Sequence, residues 1–87
     1  MKEVYDIIVT IEDKEIRWML KACFDKIIIV PNNELEFARG VVFGMTSIAK
    51  AKKVLSEMDS KMINQIVSEY VNNRIKEEIR KAKQHKK

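Results

Sequence analysis

The sequence predicts a small α+β fold, with an N-terminal antiparallel β-meander of about four strands followed by two C-terminal α-helices, the last one long. Three observations predict it. Residues 4–24 alternate in a way that pairs apolar side chains across a hairpin; both glycines, Gly40 and Gly44, fall in one segment rich in β-branched residues; and from Ile48 onward apolar residues recur at helical spacing.

The first two strands come from "VYDIIVTIEDKEIRWMLKACF" folded about Asp13-Lys14. That register sets Ile11 against Ile16, Val9 against Trp18, Ile7 against Leu20 and Tyr5 against Ala22, every pair apolar. The opposite face sets Asp6 against Lys21, a favourable cross-strand pair, although Asp-Lys is a poor two-residue turn and Glu12 opposes Glu15. A helix starting at Asp13 competes, because Ile16, Met19, Leu20, Cys23 and Phe24 also form a helical stripe. The strand is preferred, since the helix brings Trp18 to its polar flank and leaves almost no loop before "KIIIV".

Lys26 to Val30 then reads as a short buried strand, and Pro31-Asn32-Asn33-Glu34 as a turn, because Pro presets φ and Asn bonds its own backbone. The alternative is Asn33 as the N-cap of an immediate helix with Glu36 at its third position. The segment "LEFARGVVFGMTS" decides for a strand. In a helix Gly40 and Gly44 each cost about 1 kcal/mol relative to Ala, and with Val41, Val42, Phe43 and Thr46 the penalty reaches about 4 kcal/mol. As a strand the segment segregates its large residues from its small ones, and the glycines thin one face of a curved edge strand.

Thr46 or Ser47 next offers an N-cap for a helix with Ile48, Ala51, Leu55 and Met58 inward. Asp59 or Ser60 caps a second helix whose Ile63, Ile66, Val67 and Tyr70 face the core. This helix runs to about Lys83, roughly 36 Å, longer than the roughly 30 Å width of a compact domain of this size. The step from Ile63 to Ile79 rotates the apolar ridge by about 160°. Val71, Ile75 and Ile79 are therefore expected to form an intermolecular contact, and the protein to be a homodimer or higher homo-oligomer. A single domain spans residues 1–82, and 83–87 form a mobile basic tail with nothing to bury.

Composition bounds the chemistry. The 87 residues are 46% hydrophobic and 34% charged, a globular composition with no apolar run approaching the roughly 20 residues of a membrane span. Glu3 and Asp6 interrupt any export signal, and one cysteine excludes an internal disulfide, so the expected setting is cytoplasmic. Cys23 reads as a packing residue. The only histidine, His85, lies in the tail; no Cys/His metal spacing and no phosphate-binding glycine loop occur, so no catalytic, cofactor or metal site is expected. The net charge of +4 is uneven: residues 1–45 carry six Lys or Arg against eight acids, and 46–87 carry eleven against five. Lys50, Lys53, Lys76, Arg80, Lys81 and Lys83, with Lys52, Arg74, Lys86 and Lys87, are the candidates for phosphate contact. No exposed aromatic is interleaved with them, and "MDSK" lacks the glycine-bearing turn of a helix-turn-helix. No family resemblance stands out. The expected function is a non-enzymatic binding or regulatory module, of inhibitor or adaptor type, working through protein contacts and self-association. Nucleic-acid binding through the basic helices is the alternative, and a small-molecule pocket at a subunit interface a third reading.

Overall fold

The computed structural model describes residues 1–85, with side chains placed to Lys83, and among these residues the protein is a helical bundle without a strand. Four helices follow in order: α1 (Lys2–Ile8), α2 (Lys14–Ile29), α3 (Leu35–Ala51) and α4 (Glu57–His85), with a single 3-10 turn at Asn32–Glu34 leading into α3. Helix α3 is central, packing against both α2 and α4, while α1 lies across α2 and α4. The β-meander expected from residues 4–45 is absent; each segment assigned to a strand belongs to a helix or a helix junction.

The physical reasons are local and specific. Asp13 is an N-cap, not a turn residue: its carboxylate accepts from the Ile16 backbone N–H at 3.0 Å and so starts α2. The stripe Ile16, Leu20, Phe24 and Ile27 is buried along one side of that helix. Lys26–Val30, expected as a strand, closes α2, with Ile27 in the core and Ile28 and Ile29 outside. Upstream, Ile8 and Ile11 are buried, and Arg17 donates to the Ile11 carbonyl at 3.0 Å, pinning the α1–α2 connection.

Helix α3 runs straight through both glycines, against the propensity argument. Its inward side buries Leu35, Val42, Met45 and Ala49. Three of these are large side chains worth roughly 1.5–3 kcal/mol each, which together exceed the helix penalty of about 4 kcal/mol. Burial on two neighbouring helices therefore overrides propensity. Thr46, expected as a cap, is instead fully buried inside α3. Its hydroxyl bonds the Phe43 carbonyl at 2.9 Å and meets the Asn64 side-chain amide at 3.0 Å, a polar link between α3 and α4.

The α3–α4 junction falls earlier than the sequence suggests. Lys52 ends α3; Val54 donates to the Ala49 carbonyl at 3.1 Å and Lys53 to the Lys50 carbonyl at 3.0 Å, the paired bonds of a Schellman motif. Lys53 holds φ 62°, where glycine is favoured. Lys53→Gly is expected to raise stability by about 1 kcal/mol, read as a higher denaturation midpoint. Ser56, rather than Asp59 or Ser60, caps α4: its hydroxyl accepts from the Asp59 N–H at 3.0 Å. Leu55 is buried in the junction itself.

Helix α4 continues past the rest of the bundle, which is why the molecule measures 53 × 20 × 19 Å. Its helical path reaches His85, so residues 83–85 extend the helix; Lys86 and Lys87 lie outside the described residues. Near the end of its packed part stands Arg74. That guanidinium donates to the carbonyls of Val30 (3.0 Å) and Ile27 (3.3 Å) and to the Asn32 side chain (2.7 Å), so it caps the C-terminus of α2 from another helix. Val71 is fully buried and Ile75 packs half-buried against the core, while Ile79 is 50% exposed. Of the expected contact residues Val71, Ile75 and Ile79, the distal ridge thus leaves only Ile79 exposed to a partner.

Candidate functional site

An open groove lined by Trp18 lies between α1 and α2. It forms because α2 turns Ile16, Leu20 and Phe24 inward, which at 100° per residue leaves Trp18 on the far side. Trp18 is 71% exposed and Val9, just after α1, 65% exposed. Together with Ile8, Lys14, Glu15, Arg17 and Lys21 they line an open groove of about 540 Å³. Scattered exposed aliphatics are ordinary, but an exposed Trp beside an exposed Val is an apolar anchor point without a cover. Lys14 and Lys21 stand one helical turn to either side of Trp18, giving the groove a basic rim.

Helices α1 and α2 are also tied together by a polar contact outside the groove lining. Tyr5 of α1 donates to Asp25 of α2 at 2.6 Å, and its ring meets Phe24 edge-on, centroids 5.4 Å apart. Lys21 donates to the other Asp25 oxygen at 2.9 Å. The Tyr5 and Lys21 hydrogen bonds hold the Asp25 carboxyl below the usual carboxylate range. Burial, with the Asp25 hydrogen bond and charge, pushes the Tyr5 phenol up to about 12. The phenol is raised relative to the unfolded chain, so its contribution is complete below about pH 10 and is lost as pH climbs through about 12. Tyr5→Phe is accordingly expected to flatten the alkaline loss of stability in that window, read from denaturation midpoints across the pH series.

A second groove, about 390 Å³, runs between α2 and α3 and is lined by Ala22, Cys23, Lys26, Val30, Glu34, Phe37, Ala38 and Val41. Cys23 is half-buried there, and burial pushes its thiol up against the smaller opposing effect of Lys26. A raised thiol is a poor nucleophile at neutral pH, so the residue acts as part of the wall.

The basic candidates do not form one surface. Lys50, Lys52 and Lys53 sit at the α3–α4 junction; Lys76, Arg80 and Lys83 share one side of the projecting α4, roughly 30 Å away along that helix. Lys81 faces another way, beside Glu77, Glu78, Asn32 and Arg74, and Arg80 is paired with Glu77. Arg74 is committed to the α2 terminus. Among the described residues no group of His, Cys, Asp and Glu is placed to hold a metal ion, and no helix is long and apolar enough to cross a membrane. No family model matches the chain, and no curated protein or solved structure matches it either.

The sequence reading missed Trp18 as a site residue. The signal was present: the helical stripe beginning at Ile16 left Trp18 opposite the core, and this counted against the helix instead of marking the surface.

Proposed function

We propose that the protein is a non-enzymatic binding module of the inhibitor or adaptor type, acting in the cytoplasm through protein–protein contacts and self-association. The observation that carries this reading is the uncovered pair Trp18 and Val9. Tryptophan supplies a large rigid contact at low entropy cost and dominates interface energies when desolvated. The groove suits a partner that presents an apolar side chain to Trp18 and carboxylates to Lys14 and Lys21. The test compares proteins captured from native lysate by the wild-type chain and by Trp18→Ala, with nuclease treatment and added salt. The expected result is a captured protein that survives both treatments and is lost in the variant, whose melting temperature is unchanged because Trp18 packs little within the subunit. Capture equal in the two chains would contradict the reading.

Nucleic-acid binding is the second reading, favoured by Lys76, Arg80 and Lys83 sharing one exposed side of the projecting helix. Its mark is an affinity that falls steeply with salt, by about 0.9 log units per log unit of salt for each phosphate neutralised. Lys76→Glu with Lys83→Glu then abolishes binding, while Trp18→Ala leaves it unchanged.

A further inference from the structure

Beyond Ile75 helix α4 runs alone. Among the described residues Ile75 is the last side chain packed against the core, and everything from Lys76 to Lys83 is exposed while the helical path continues to His85. Residues 76–85 are an arm of bare helix roughly 15 Å long, and the bundle behind it is 20 × 19 Å in cross-section. At 100° per residue Asn72, Asn73, Lys76, Arg80 and Lys83 fall within an arc of about 100°, opposite the buried Val67 and Val71. From Lys76 to Lys83 this arc holds three cations and no acid. Glu77 and Glu78 lie outside it, although Glu77 reaches Arg80 as an ion pair; Glu69 continues the line one turn further back, alongside the bundle.

We infer that this arm docks in the major groove of double-stranded DNA, with Lys76 and Lys83 on phosphates and Arg80 at the base edges between them. The inference rests on the nucleic-acid reading above and narrows it to one form of nucleic acid. Charge selects a polyanion, since the cations of the arc meet phosphates without an intervening carboxylate. Shape then selects the form. A helix with its side chains is about 10–12 Å across, and the B-form major groove, about 12 Å wide, admits it; the deep, narrow major groove of duplex RNA does not. Single strands are held by stacking on exposed aromatics, and the arm has none: Tyr70 is the last aromatic of the chain and lies half-buried beside Arg74. Lys76 and Lys83 stand about 10.5 Å apart along the axis. Arg80, between them, carries the planar fork that meets guanine O6 and N7 together. Its exposed pairing with Glu77 is of the kind that contributes little and is readily exchanged. Asn72 and Asn73, exposed at the root of the arm, add amides of the kind that pair with adenine.

The test is the affinity of the full chain, by fluorescence anisotropy over a salt series, for a labelled mixed-sequence DNA duplex, for one of its strands, and for the RNA duplex of the same sequence. The DNA duplex is expected to bind about tenfold or more tightly than either of the others, with affinity falling by about 2–3 log units per log unit of salt, as two or three neutralised phosphates require. Lys76→Ala with Arg80→Ala and Lys83→Ala is expected to lower that affinity about 100-fold at an unchanged melting temperature, because all three side chains are exposed. Lys50→Ala with Lys52→Ala, beyond the screening length from the arm, is expected to lower it by about threefold or less. Equal affinity for the three nucleic acids, or a loss caused by the junction pair and not by the arm triple, would overturn the inference and leave the nucleic-acid reading standing. No affinity for any of the three would overturn both. Capture of a protein through Trp18 is independent of all these outcomes.

Discussion

Phe24→Ala is expected to cost about 3–5 kcal/mol, the range for removing a buried aromatic from a closed core. Phe24 is fully buried, in the middle of the α2 stripe, and its ring supports Tyr5 edge-on. The loss therefore reaches α1 as well as α2, because the Tyr5–Asp25 hydrogen bond is oriented by that ring. For a domain of this length such a loss lowers the melting temperature by roughly 20 °C. Trp18→Ala, six residues earlier on the same helix, is expected to change stability by no more than about 0.5 kcal/mol, the ordinary range for a surface site. The contrast between the two aromatics separates the helix from a hairpin, in which Trp18 faces Val9 in the interior.

Arg74→Ala is expected to cost about 2–3 kcal/mol. Its guanidinium satisfies the carbonyls of Ile27 and Val30 and the Asn32 side chain, and it lies 5.7 Å from the Tyr70 ring centroid. Hydrogen bonds from a charged donor contribute roughly 1.5–3 kcal/mol, and a cation at a helix C-terminus adds to that. Removing it frees the end of α2 and the loop into α3 from α4 at once. Arg74→Lys is expected to restore only part of the loss, because an ammonium group lacks the planar fork that reaches several acceptors. Thermal melts of the three proteins check both statements; equal midpoints for wild type and Arg74→Ala would show that the cap contributes nothing.

How much of this was legible in the sequence differs along the chain. In the second half, the helix expected with Ile48, Ala51, Leu55 and Met58 inward is broken by the α3–α4 junction, which leaves Ile48, Ala51 and Met58 exposed, and Val71 and Ile75, expected at a partner, pack inward. Legible was the long helix from near residue 60 that outruns the rest of the bundle, with Ile63 and Val67 inward and Ile79 turned away. There the 3.6-residue period is unopposed by any alternation. In the first half "VYDIIVTIEDKEIRWMLKACF" satisfies both periods, and its hairpin pairs are all apolar, so the pattern alone does not separate strand from helix. The Asp13 carboxylate on the Ile16 N–H starts the helix, a capping interaction offered by the same residue that a hairpin uses as its turn. In α3 the glycine and β-branched content argued truthfully about local cost and wrongly about the outcome, since burial against two helices outweighed it. Arg74 could not be assigned from sequence, because its acceptors lie more than 40 residues away.

Trp18 is the only tryptophan in the chain, so its fluorescence reports one place in one fold. Quenching of that emission by acrylamide and by iodide in the free protein tests the helical bundle and its candidate site together. A side chain 71% exposed on the outer face of α2 predicts solvent-like emission, quenched nearly as strongly as in the denatured chain. A blue-shifted emission protected from both quenchers would place Trp18 in the interior and contradict both the helix and the groove.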